Sequence, residues 1–557
     1  MRRPMSPAVR TRTEALAALS STPFDLLVIG GGITGAGIAR EAALAGYRTA
    51  LVERDDFAAG TSSRSSRLVH GGVRYLEHGH LGLVFESSRE RRLLLELAPH
   101  LVRPLAFTWP VYAGARVPRW KVRAGLALYD ALSLFRNVQR HEGLCAAGVL
   151  AAEPALTASA LKGGARYWDA ATDDSRLTLA NALAARETGA VVANHTTVTG
   201  AVRLANGRLA GVAVHDRIGD AHFHVQARVV VNATGPWSDA TAALTGETHG
   251  TQLLGSAGTH IAVPRSRVGN RDAVTIVSPL DGRVMFVLPA GPHTIIGTTE
   301  RPAGRGPDDI RATETEVTYL LQNVNRLFGD ASLTRDDVIS AWCGIRPLAV
   351  ARRGEVNANA ASREHAVTHR PDGLVSVTGG KLTTYRAMAA DVLVQATREF
   401  PASGAAPELA RAARDSHRVP LPGGDFSSRE AVAAQAGAVA HDHAVGEHLM
   451  RAYGTGWRRV WQYAVDDPAL APRIVPELPY VLAEVRHAVE HELVCTLSDL
   501  LVRRTHIAFE TRDHGRAVAR HLAPRMATYL DWSAEETARA LSQYDADVTR
   551  LFAVDAV

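Results

Sequence analysis

The sequence predicts an α/β protein with a parallel sheet near the N-terminus, an inserted mixed or antiparallel sheet, and an all-helical C-terminal domain. Residues 26–29 are an apolar run ended by glycines, residues 33–45 have helical composition and residues 48–52 form a second strand, which together make a βαβ unit. Residues 281–299 have the pattern of a β-hairpin. Strand patterns fade beyond about residue 426, where segments such as 481–502 look helical.

The bulk composition is that of a soluble globular protein with two or three domains. The chain has 557 residues, of which 46% are hydrophobic and 21% charged, and this length exceeds what one simple core accommodates. A net charge of +5 gives no argument for a nucleic-acid partner. Because no run reaches the roughly 18 apolar residues that span a bilayer, we expect a cytoplasmic protein.

The cysteines and histidines give no sign of a metal centre. Cys145, Cys343 and Cys495 lie far apart without a CxxC pair, and their odd number suggests a reducing compartment. The 23 histidines include no HExxH pair. The sequence therefore predicts no metal site.

Composition shifts set the expected domain boundaries. Residues 1–22 contain four arginines and no apolar run long enough for a signal peptide, so we expect a disordered basic tail. Residues 401–425 are rich in Pro, Gly, Ala and Ser, which is typical of a linker. Between them, at 23–400, we expect a nucleotide-binding domain (about 23–105, 175–255 and 340–400) interleaved with a substrate domain (about 106–174 and 256–339), and after them a helical domain at 426–557.

A nucleotide site is predicted at the first turn of the βαβ unit. Gly30, Gly32 and Gly35 make a GxGxxG run directly after a strand, and Glu53 ends the second strand. The first glycine allows the tight turn, the second admits a pyrophosphate close to the backbone, and the third lets helix and strand pack. Glu53 can accept hydrogen bonds from ribose hydroxyls. The unit is therefore predicted to be Rossmann-like.

Three further segments favour FAD over a diffusing nicotinamide. Residues 60–67 are small and hydroxylic, residues 232–237 follow an apolar strand, and residues 379–381 precede a predicted helix start. A cofactor touched at all of these places is long and deeply held, and a helix N-terminus would stabilise an anionic reduced ring. The predicted cofactor-binding residues are Gly30, Gly32, Gly35, Glu53, Thr61, Ser62, Ser63, His70, Gly71, Gly72, Ala233, Gly235, Gly380, Lys381, Leu382 and Thr383.

Lys381 stands out because lysine is rare in this chain. Lys121, Lys162 and Lys381 are the only lysines among 62 basic residues. Lysine is a compact point charge whose pKa responds to burial, unlike arginine. Lys381 follows a glycine pair and precedes a helix start, which suits an anion site. The alternative is an ordinary surface lysine after a turn.

Candidate substrate residues lie in turns constrained by glycine or proline. Arg74 and Tyr75 follow the glycine pair at 71–72, His260 lies where a loop becomes a strand, and Arg346 is held extended by Pro347. A single histidine is more often structural, and most arginines must be solvated. These positions are candidates only because glycine or proline constrains the backbone around them.

Taken together, the motifs resemble the FAD-dependent glycerol-3-phosphate dehydrogenase family. The matching pieces are GGGITGAG near residue 30, TSSRSSRLVHGGVRYLE (61–77), NATGPW (232–237), GTHIAVP (258–264), IIGTTE (295–300), GIRPL (344–348) and VTGGKLTTYR (377–386). They occur in family order over roughly residues 24–395. The C-terminal region also resembles the family, but more weakly.

The resemblance implies oxidation of sn-glycerol 3-phosphate at C2 to dihydroxyacetone phosphate, with FAD taking the hydride. It implies substrate binding by Arg74, Tyr75, Arg346, Arg363 and Lys381, and catalysis by His260, Arg346 and Lys381. Planar arginines suit a phosphate dianion. His260 is the favoured base because its ordinary pKa lies near neutrality, although the identity of the base stays open.

The resemblance further implies that electrons pass to a quinone at the inner membrane surface. Residues 116–136 begin with four basic residues and continue with an apolar stripe, which suits anionic lipid. An ordinary amphipathic helix packed on the core explains the pattern equally well. The protein is therefore expected to be cytoplasmic, with peripheral contact to the cytoplasmic face of the membrane as an option, and a homodimer is among the open assemblies.

Three alternatives to this function stay open at this point. One is a glycerol-3-phosphate oxidase that returns electrons to O₂, and a second is an amine or amino-acid oxidase of the wider fold. A third, from another class, is a flavin-binding scaffold or sensor without turnover.

Overall fold

The computed structural model describes residues 11–246, 254–304, 306–329, 331–348, 364–400 and 415–556. The strands, in chain order, are β1 (Phe24–Ile29), β2 (Thr49–Val52), β3 (Leu68–Val69), β4 (Val102–Tyr112), β5 (Glu142–Leu144), β6 (Leu161–Thr172), β7 (Val191–Ala193), β8 (Thr196–Arg203), β9 (Leu209–Asp216), β10 (His222–Asn232), β11 (Leu254–Pro264), β12 (Ala273–Val277), β13 (Val284–Ala290), β14 (His293–Gly297), β15 (Arg301–Pro302), β16 (Ala312–Thr313), β17 (Ser340–Leu348), β18 (His365–His369), β19 (Leu374–Gly379) and β20 (Val554–Asp555).

The α-helices, again in chain order, are α1 (Arg12–Ser21), α2 (Ile33–Leu44), α3 (Leu81–Leu97), α4 (Arg119–Leu132), α5 (Ala146–Ala152), α6 (Asp174–Glu187), α7 (Ser238–Leu244), α8 (Arg265–Val268), α9 (Glu314–Leu327), α10 (Tyr385–Ala396), α11 (Arg429–Ala440), α12 (His443–Tyr453), α13 (Trp457–Asp466), α14 (Leu482–His491), α15 (Ile507–Glu510), α16 (Arg516–Leu530) and α17 (Ala534–Phe552). A π-helical segment covers Asp499–Arg504.

The first sheet is the predicted parallel sheet. Its strand order is β18-β19-β10-β1-β2-β7, in which β18 is an antiparallel edge strand and the other neighbours are parallel. β8 and β9 extend it through antiparallel pairing with the first half of β10. Helices α2, α6 and α10 pack together on one face over an apolar core. The βαβ unit predicted from residues 26–52 is therefore confirmed.

The second sheet is mixed and mainly antiparallel. Its order is β15-β11-β14-β13-β12-β4-β6-β3, with β5 added at β6 and β17 at β11. The expected hairpin is present as β13 and β14. The sequence placed residues 340–348 in the nucleotide-binding domain, and this is wrong, because β17 pairs with β11 along nine residues from Ser340 to Leu348. Local composition does not reveal which sheet a strand joins.

The N-terminal prediction also needs correction. Residues 12–21 form helix α1 and not a disordered tail. Thr11 and Glu14 form a reciprocal capping box, and Leu19 is buried against the first sheet. Arg12 forms an ion pair with Asp216. The Thr-x-x-Glu signature marks this helix start in the sequence, whereas the short apolar content suggested disorder. Residues 1–10 of the predicted tail lie outside the described residues.

The C-terminal unit is helical and packs against the first domain. The helix expected over 481–502 is interrupted, since α14 ends at His491 and a π-helical segment begins at Asp499. Residues 401–414 of the predicted linker lie outside the described residues. Asp56, in the loop after β2, is fully buried and accepts hydrogen bonds from Arg503 Nε at 2.6 Å and Arg504 Nη1 at 2.7 Å. The unit therefore contacts the loop that follows Glu53.

Candidate active site

One large cavity, of about 570 Å³, lies where the two sheets meet. Its walls come from the residues that follow β1, β2, β10 and β19 and from the facing strands β11, β13 and β17. The carboxyl ends of parallel strands are where open α/β sheets bind their ligands. The fold therefore places the predicted glycine turn and the predicted substrate residues on the same cavity.

The glycine turn has the geometry that a pyrophosphate requires. Gly30 has a φ of 106°, and a Cβ there would lie 2.7 Å from the carbonyl oxygen of Ala233. A Cβ at Gly35 would overlap the carbonyl oxygen of Gly30, so this glycine permits the contact between helix α2 and β1. At Gly32 a Cβ would meet Ser62 Oγ at 3.3 Å among the described atoms, which leaves its cavity side accessible.

Glu53 supplies the carboxylate next to this turn. It accepts hydrogen bonds from Gly31 N at 2.6 Å and from Asp55 N at 2.8 Å. Burial, reinforced by the nearby Asp55 carboxylate, raises the pKa of Glu53 to about 6. A carboxylate that already orients two backbone amides is well placed to accept further hydrogen bonds from ribose hydroxyls.

A second backbone cradle lies at the end of β19. Gly379 and Gly380 have φ values of 73° and 79°, and a turn of 3₁₀ helix over Leu382–Thr384 leads directly into α10. His70 N donates to Thr383 Oγ1 at 3.3 Å, which ties the loop at 70–72 to this helix start. Free N–H groups at a helix start favour negative charge, as an anionic ring edge would supply.

His260 lies on β11, on the substrate side of the cavity, and is 3% exposed. Its Nε2 is 2.8 Å from Ser66 Oγ, and its ring stacks on Trp342 with centroids 5.6 Å apart. Among the described residues its Nδ1 has no hydrogen-bond partner. Burial, together with the positive charges of Arg346 and Arg67, lowers the pKa of His260 to about 3. The imidazole is therefore neutral but a weak base in the substrate-free protein, so the near-neutral pKa expected from the sequence is wrong.

Two cations, Arg346 and Lys381, line the same cavity as His260. Arg346 Nη2 donates to Thr298 Oγ1 at 3.1 Å, and Gly258 makes room for the guanidinium because a Cβ there would lie 2.6 Å from Nη2. Lys381 Nζ lies 3.7 Å from the ring centroid of Tyr75 and donates to Ser87 Oγ at 3.3 Å. This end of the cavity suits a small anion.

Comparison with known proteins agrees with this geometry. A family model described as FAD dependent oxidoreductase matches residues 25–386, and a model described as the C-terminal domain of alpha-glycerophosphate oxidase matches residues 415–537. Glycerol-3-phosphate dehydrogenase of Mycobacterium leprae is 39% identical over 547 residues, covering 96% of this chain and 90% of that protein. The mouse mitochondrial glycerol-3-phosphate dehydrogenase is 34% identical over 541 residues, covering 94% of this chain and 73% of that protein.

This chain belongs to the glycerol-3-phosphate dehydrogenase family. Among solved structures, the Bacillus halodurans glycerol-3-phosphate dehydrogenase complexed with FAD superposes with a TM-score of 0.78 at 30% identity, covering 98% of each chain. The predicted family, the predicted fold class and the predicted FAD cofactor are confirmed.

The structure brings most of the predicted site residues of this family member to the cavity, but not all of them. The cavity wall includes Gly30, Gly32, Glu53, Thr61, Ser62, His70, Gly72, Tyr75, Ala233, Gly235, His260, Arg346, Gly380, Lys381, Leu382 and Thr383. Arg363 lies outside the described residues, and the side chain of Arg74 lies outside what the structure describes.

Gly35, Ser63 and Gly71 do not line the cavity, and their contact with the cofactor stays a prediction. Gly71 N donates to Asp169 Oδ1 at 3.0 Å, and a Cβ at Gly71 would overlap the Tyr129 hydroxyl. The protein itself, and not a bound ring, therefore crowds Gly71. Gly35 faces the turn, as its predicted packing role requires.

Sequence reasoning missed several cavity residues in this family member. Ser66 and Thr298 contact His260 and Arg346, and Arg283 Nη1 donates to the Glu300 carbonyl oxygen at 3.3 Å. An aromatic part of the wall was also missed. It consists of Phe107, Trp109, Tyr167 and Phe286. Strand register across the second sheet brings these residues together, and no local motif marks them.

Residues 116–136, predicted to form either a lipid-contacting segment or an amphipathic helix packed on the core, show features of both in and after helix α4. Val122, Leu126 and Tyr129 are buried on the core, whereas Trp120 is 72% exposed. In the turn that follows α4, Leu134 and Phe135 are each 57% exposed. Within the part of the chain that the structure describes, no helix combines the length and apolarity needed to cross a membrane.

Proposed function

We propose that this chain oxidises sn-glycerol 3-phosphate at C2 to dihydroxyacetone phosphate. The observation that carries the proposal is the cavity that joins the glycine turn at Gly32 to the cations Arg346 and Lys381 and to the neutral His260. FAD, when bound, supplies the two-electron acceptor for the C2 hydride. The relatives named above carry this substrate in their names.

The phosphate end of the substrate is assigned to Arg346. A guanidinium offers planar paired donors to phosphate oxygens, and charge-assisted bonds of this kind are stronger than neutral ones. Thr298 Oγ1 holds Nη2 of Arg346 at 3.1 Å and so limits its rotation. Arg74 and Arg363 are assigned to the same end on family resemblance.

Proton removal from the C2 hydroxyl is assigned to His260. Its ring is held by a hydrogen bond between Nε2 and Ser66 Oγ at 2.8 Å and by stacking on Trp342, so the imidazole keeps one orientation. A general base must lie within hydrogen-bond reach of the proton it takes. Lys381, held by the Tyr75 ring and by Ser87, is assigned to stabilise the negative charge that develops on the substrate oxygen.

An anaerobic titration tests this assignment of the substrate. The purified flavoprotein is mixed with glycerol 3-phosphate, glycerol, or a series of amino acids without O₂, and the oxidised flavin absorption near its visible maximum is followed. We expect glycerol 3-phosphate alone to bleach the flavin completely. Bleaching by an amino acid would indicate the amine-oxidase alternative, and a flavin that no substrate bleaches would indicate a non-catalytic scaffold.

We propose a quinone as the electron acceptor. Support comes from the aromatic wall, in which Phe107 stacks on Tyr167 with centroids 5.1 Å apart and meets Phe286 edge-on at 5.7 Å. A glycerol phosphate has no need of this apolar surface, whereas a quinone head group is a flat, weakly polar ring that stacks on aromatic side chains. The oxidase alternative predicts hydrogen peroxide formation at the rate of substrate consumption.

We further propose that the exposed apolar surface around α4 contacts the membrane. This surface combines Trp120, Leu128, Leu134 and Phe135 with the exposed basic residues beside them, as an interfacial helix on anionic lipid would. Trp120→Glu together with Phe135→Glu should abolish cosedimentation with vesicles containing anionic lipid. Val465→Glu, at a position 60% exposed on the C-terminal unit, is the matched control. Equal binding by all variants would remove this surface from the proposal.

A further inference from the structure

A histidine and aspartate cluster lies at the turn between β9 and β10, one strand away from Thr197 of β8, which lines the cavity. His215 and His222 are cross-strand partners in this antiparallel pair, and Asp220 lies in the turn between them. One ligand atom from each of the three residues lies within 4.8 Å of the others. His215 Nε2 is 2.7 Å from Asp220 Oδ1, and the two imidazole rings are parallel with centroids 4.2 Å apart.

We propose that His215, Asp220 and His222 form a binding site for one divalent transition-metal ion of the Zn²⁺ type. Two imidazoles and a carboxylate are the donor set that Zn²⁺, Ni²⁺ and Cu²⁺ favour over Mg²⁺ and Ca²⁺. His224 follows His222 by two residues and therefore projects from the same face of β10. Its ring nitrogens are not among the ligand atoms that lie together here, so a spectroscopic test decides whether His224 is a fourth ligand.

The turn is built to hold Asp220 beside the histidines. The Asp216 carboxylate accepts hydrogen bonds from Ile218 N at 3.1 Å and Gly219 N at 3.0 Å, and it pairs with Arg12 of helix α1. Asp216 N donates to Ala221 O at 2.8 Å, which closes the turn. Asp220 itself has a φ of 57°, the left-handed conformation that Asp tolerates well. The three ligands are thus held together by residues that are not ligands.

Exposure makes the cluster accessible to an ion from solution. The Asp220 side chain is 92% exposed and the His215 side chain 28% exposed, and His222 is exposed as well. Among the described residues, the Asp220 carboxylate has no other hydrogen-bond or ion-pair partner than His215. An arriving ion would therefore displace one hydrogen bond and solvent, and the two stacked imidazoles would have to rotate, because one ion cannot lie in both of their parallel ring planes.

A second cluster of similar composition differs because its carboxylate is already fully hydrogen-bonded. His195, Cys495 and Asp499 also lie close together and are buried. There, however, Asp499 already accepts from Cys495 N at 2.9 Å, Thr496 N at 3.0 Å and His195 Nε2 at 2.9 Å, and it pairs with Arg503 at 2.8 Å. Its acceptor capacity is used, and a buried arginine opposes a cation. That cluster joins the C-terminal unit to the first domain and is not a metal site.

The role of the ion follows from its position on the strand. β10 runs from His222 to Asn232, and the residue after Asn232 is Ala233 in the cavity wall. At the other end of β10 the cluster also lies close to the cavity, because Thr197 on β8, the cross-strand partner of His215, lines the cavity wall. An ion here would link β9 to the start of β10 and stabilise the hairpin next to the cavity-lining strand β8.

Metal titration of the intact flavoprotein tests the proposal. Protein without a polyhistidine tag is treated with chelator, dialysed and titrated with Zn²⁺ by calorimetry. We expect one saturable equivalent per chain, which Mg²⁺ and Ca²⁺ do not reproduce. His222→Ala and Asp220→Asn should each weaken Zn²⁺ binding by about tenfold or more. His443→Ala, an exposed histidine of α12, is the control.

Electron paramagnetic resonance with Cu²⁺ gives an independent measurement. Coupling to two imidazole nitrogens is expected in the unmodified protein, and the loss of one nitrogen in His222→Ala. Coupling to a third nitrogen that disappears in His224→Ala would assign His224 as the fourth ligand. Zn²⁺ binding that does not saturate, or that survives unchanged in both His222→Ala and Asp220→Asn, would overturn the proposal.

Discussion

Replacing Arg346 by alanine tests whether the cations in the cavity recognise the substrate phosphate. The side chain lies on β17, is held by Thr298 Oγ1 at 3.1 Å, and lines the cavity with Lys381. Because β17 pairs with β11 along nine residues, truncation of one side chain should leave the strand in place. The variant therefore removes a charged donor while the sheet stays intact.

The expected magnitude follows from the bond that is lost. A hydrogen bond to a charged group contributes about 1.5–3 kcal/mol, and 1.36 kcal/mol corresponds to a factor of ten. Arg346→Ala should therefore weaken substrate binding by about 10- to 150-fold. Arg346→Lys should recover part of this loss, since it keeps the charge but loses the planar paired donors.

Anaerobic stopped-flow mixing separates binding from chemistry. The rate of flavin reduction is measured against glycerol 3-phosphate concentration, which gives an apparent Kd and a limiting rate for each variant. Arg267→Ala is the control, because Arg267 is 45% exposed and pairs with Asp337 on the surface. Values for Arg346→Ala that match those of the control would refute the assignment of Arg346 to the phosphate.

Three further predictions concern the base, the glycine turn and Glu53. Ser66→Ala removes the hydroxyl that lies 2.8 Å from His260 Nε2. The limiting rate of flavin reduction should fall about fivefold and its pH profile should shift, while the apparent Kd for glycerol 3-phosphate stays the same. A pH profile identical to that of the unmodified protein would contradict this prediction. Gly35→Ala should yield protein without flavin, because its Cβ overlaps the Gly30 carbonyl oxygen, whereas Gly82→Ala, which has open space, should retain flavin. The pKa of Glu53 is about 6 in the folded protein against an ordinary value of 4.5. Protonation of Glu53 therefore stabilises the folded state below pH 4.5, and this stabilisation is lost as the pH rises through 6. The flavin-free protein should therefore lose unfolding free energy across that window in chemical denaturation, and Glu53→Gln should flatten the loss.

Those features of the fold and site that depend on short spacings could be predicted from the sequence. Gly30, Gly32 and Glu53 lie within one βαβ unit, and each has a steric or hydrogen-bonding reason that the structure shows. Helix α1 was missed although Thr11 and Glu14 provide a readable capping signature. The deciding contact of α1, between Arg12 and Asp216, joins residues 204 positions apart and leaves no local trace.

The pairing of strands that are distant in the sequence explains why the other site residues were not predicted. Ser66 meets His260 across 194 positions, and the aromatic wall draws one residue or more from each of β4, β6 and β13. The aromatic positions carry no motif of their own, and the motif that contains Ser66 gives no sign that it meets His260, because a strand pattern specifies alternation and not the partner strand. The sheet assignment of residues 340–348 failed for the same reason.

The electrostatics of the cavity link substrate charge to the strength of the proposed base. In the substrate-free protein, burial and the charges of Arg346 and Arg67 hold the pKa of His260 at about 3, which makes it a weak base. A phosphate dianion bound at Arg346 opposes that positive charge and raises the pKa of His260 toward its ordinary value. The phosphate would then do more than anchor the substrate, because it would offset the part of the pKa depression that Arg346 causes, while the larger part, due to burial, stays. Glycerol, which has no charge, would leave His260 a weak base, so it should react slowly even at saturating concentration.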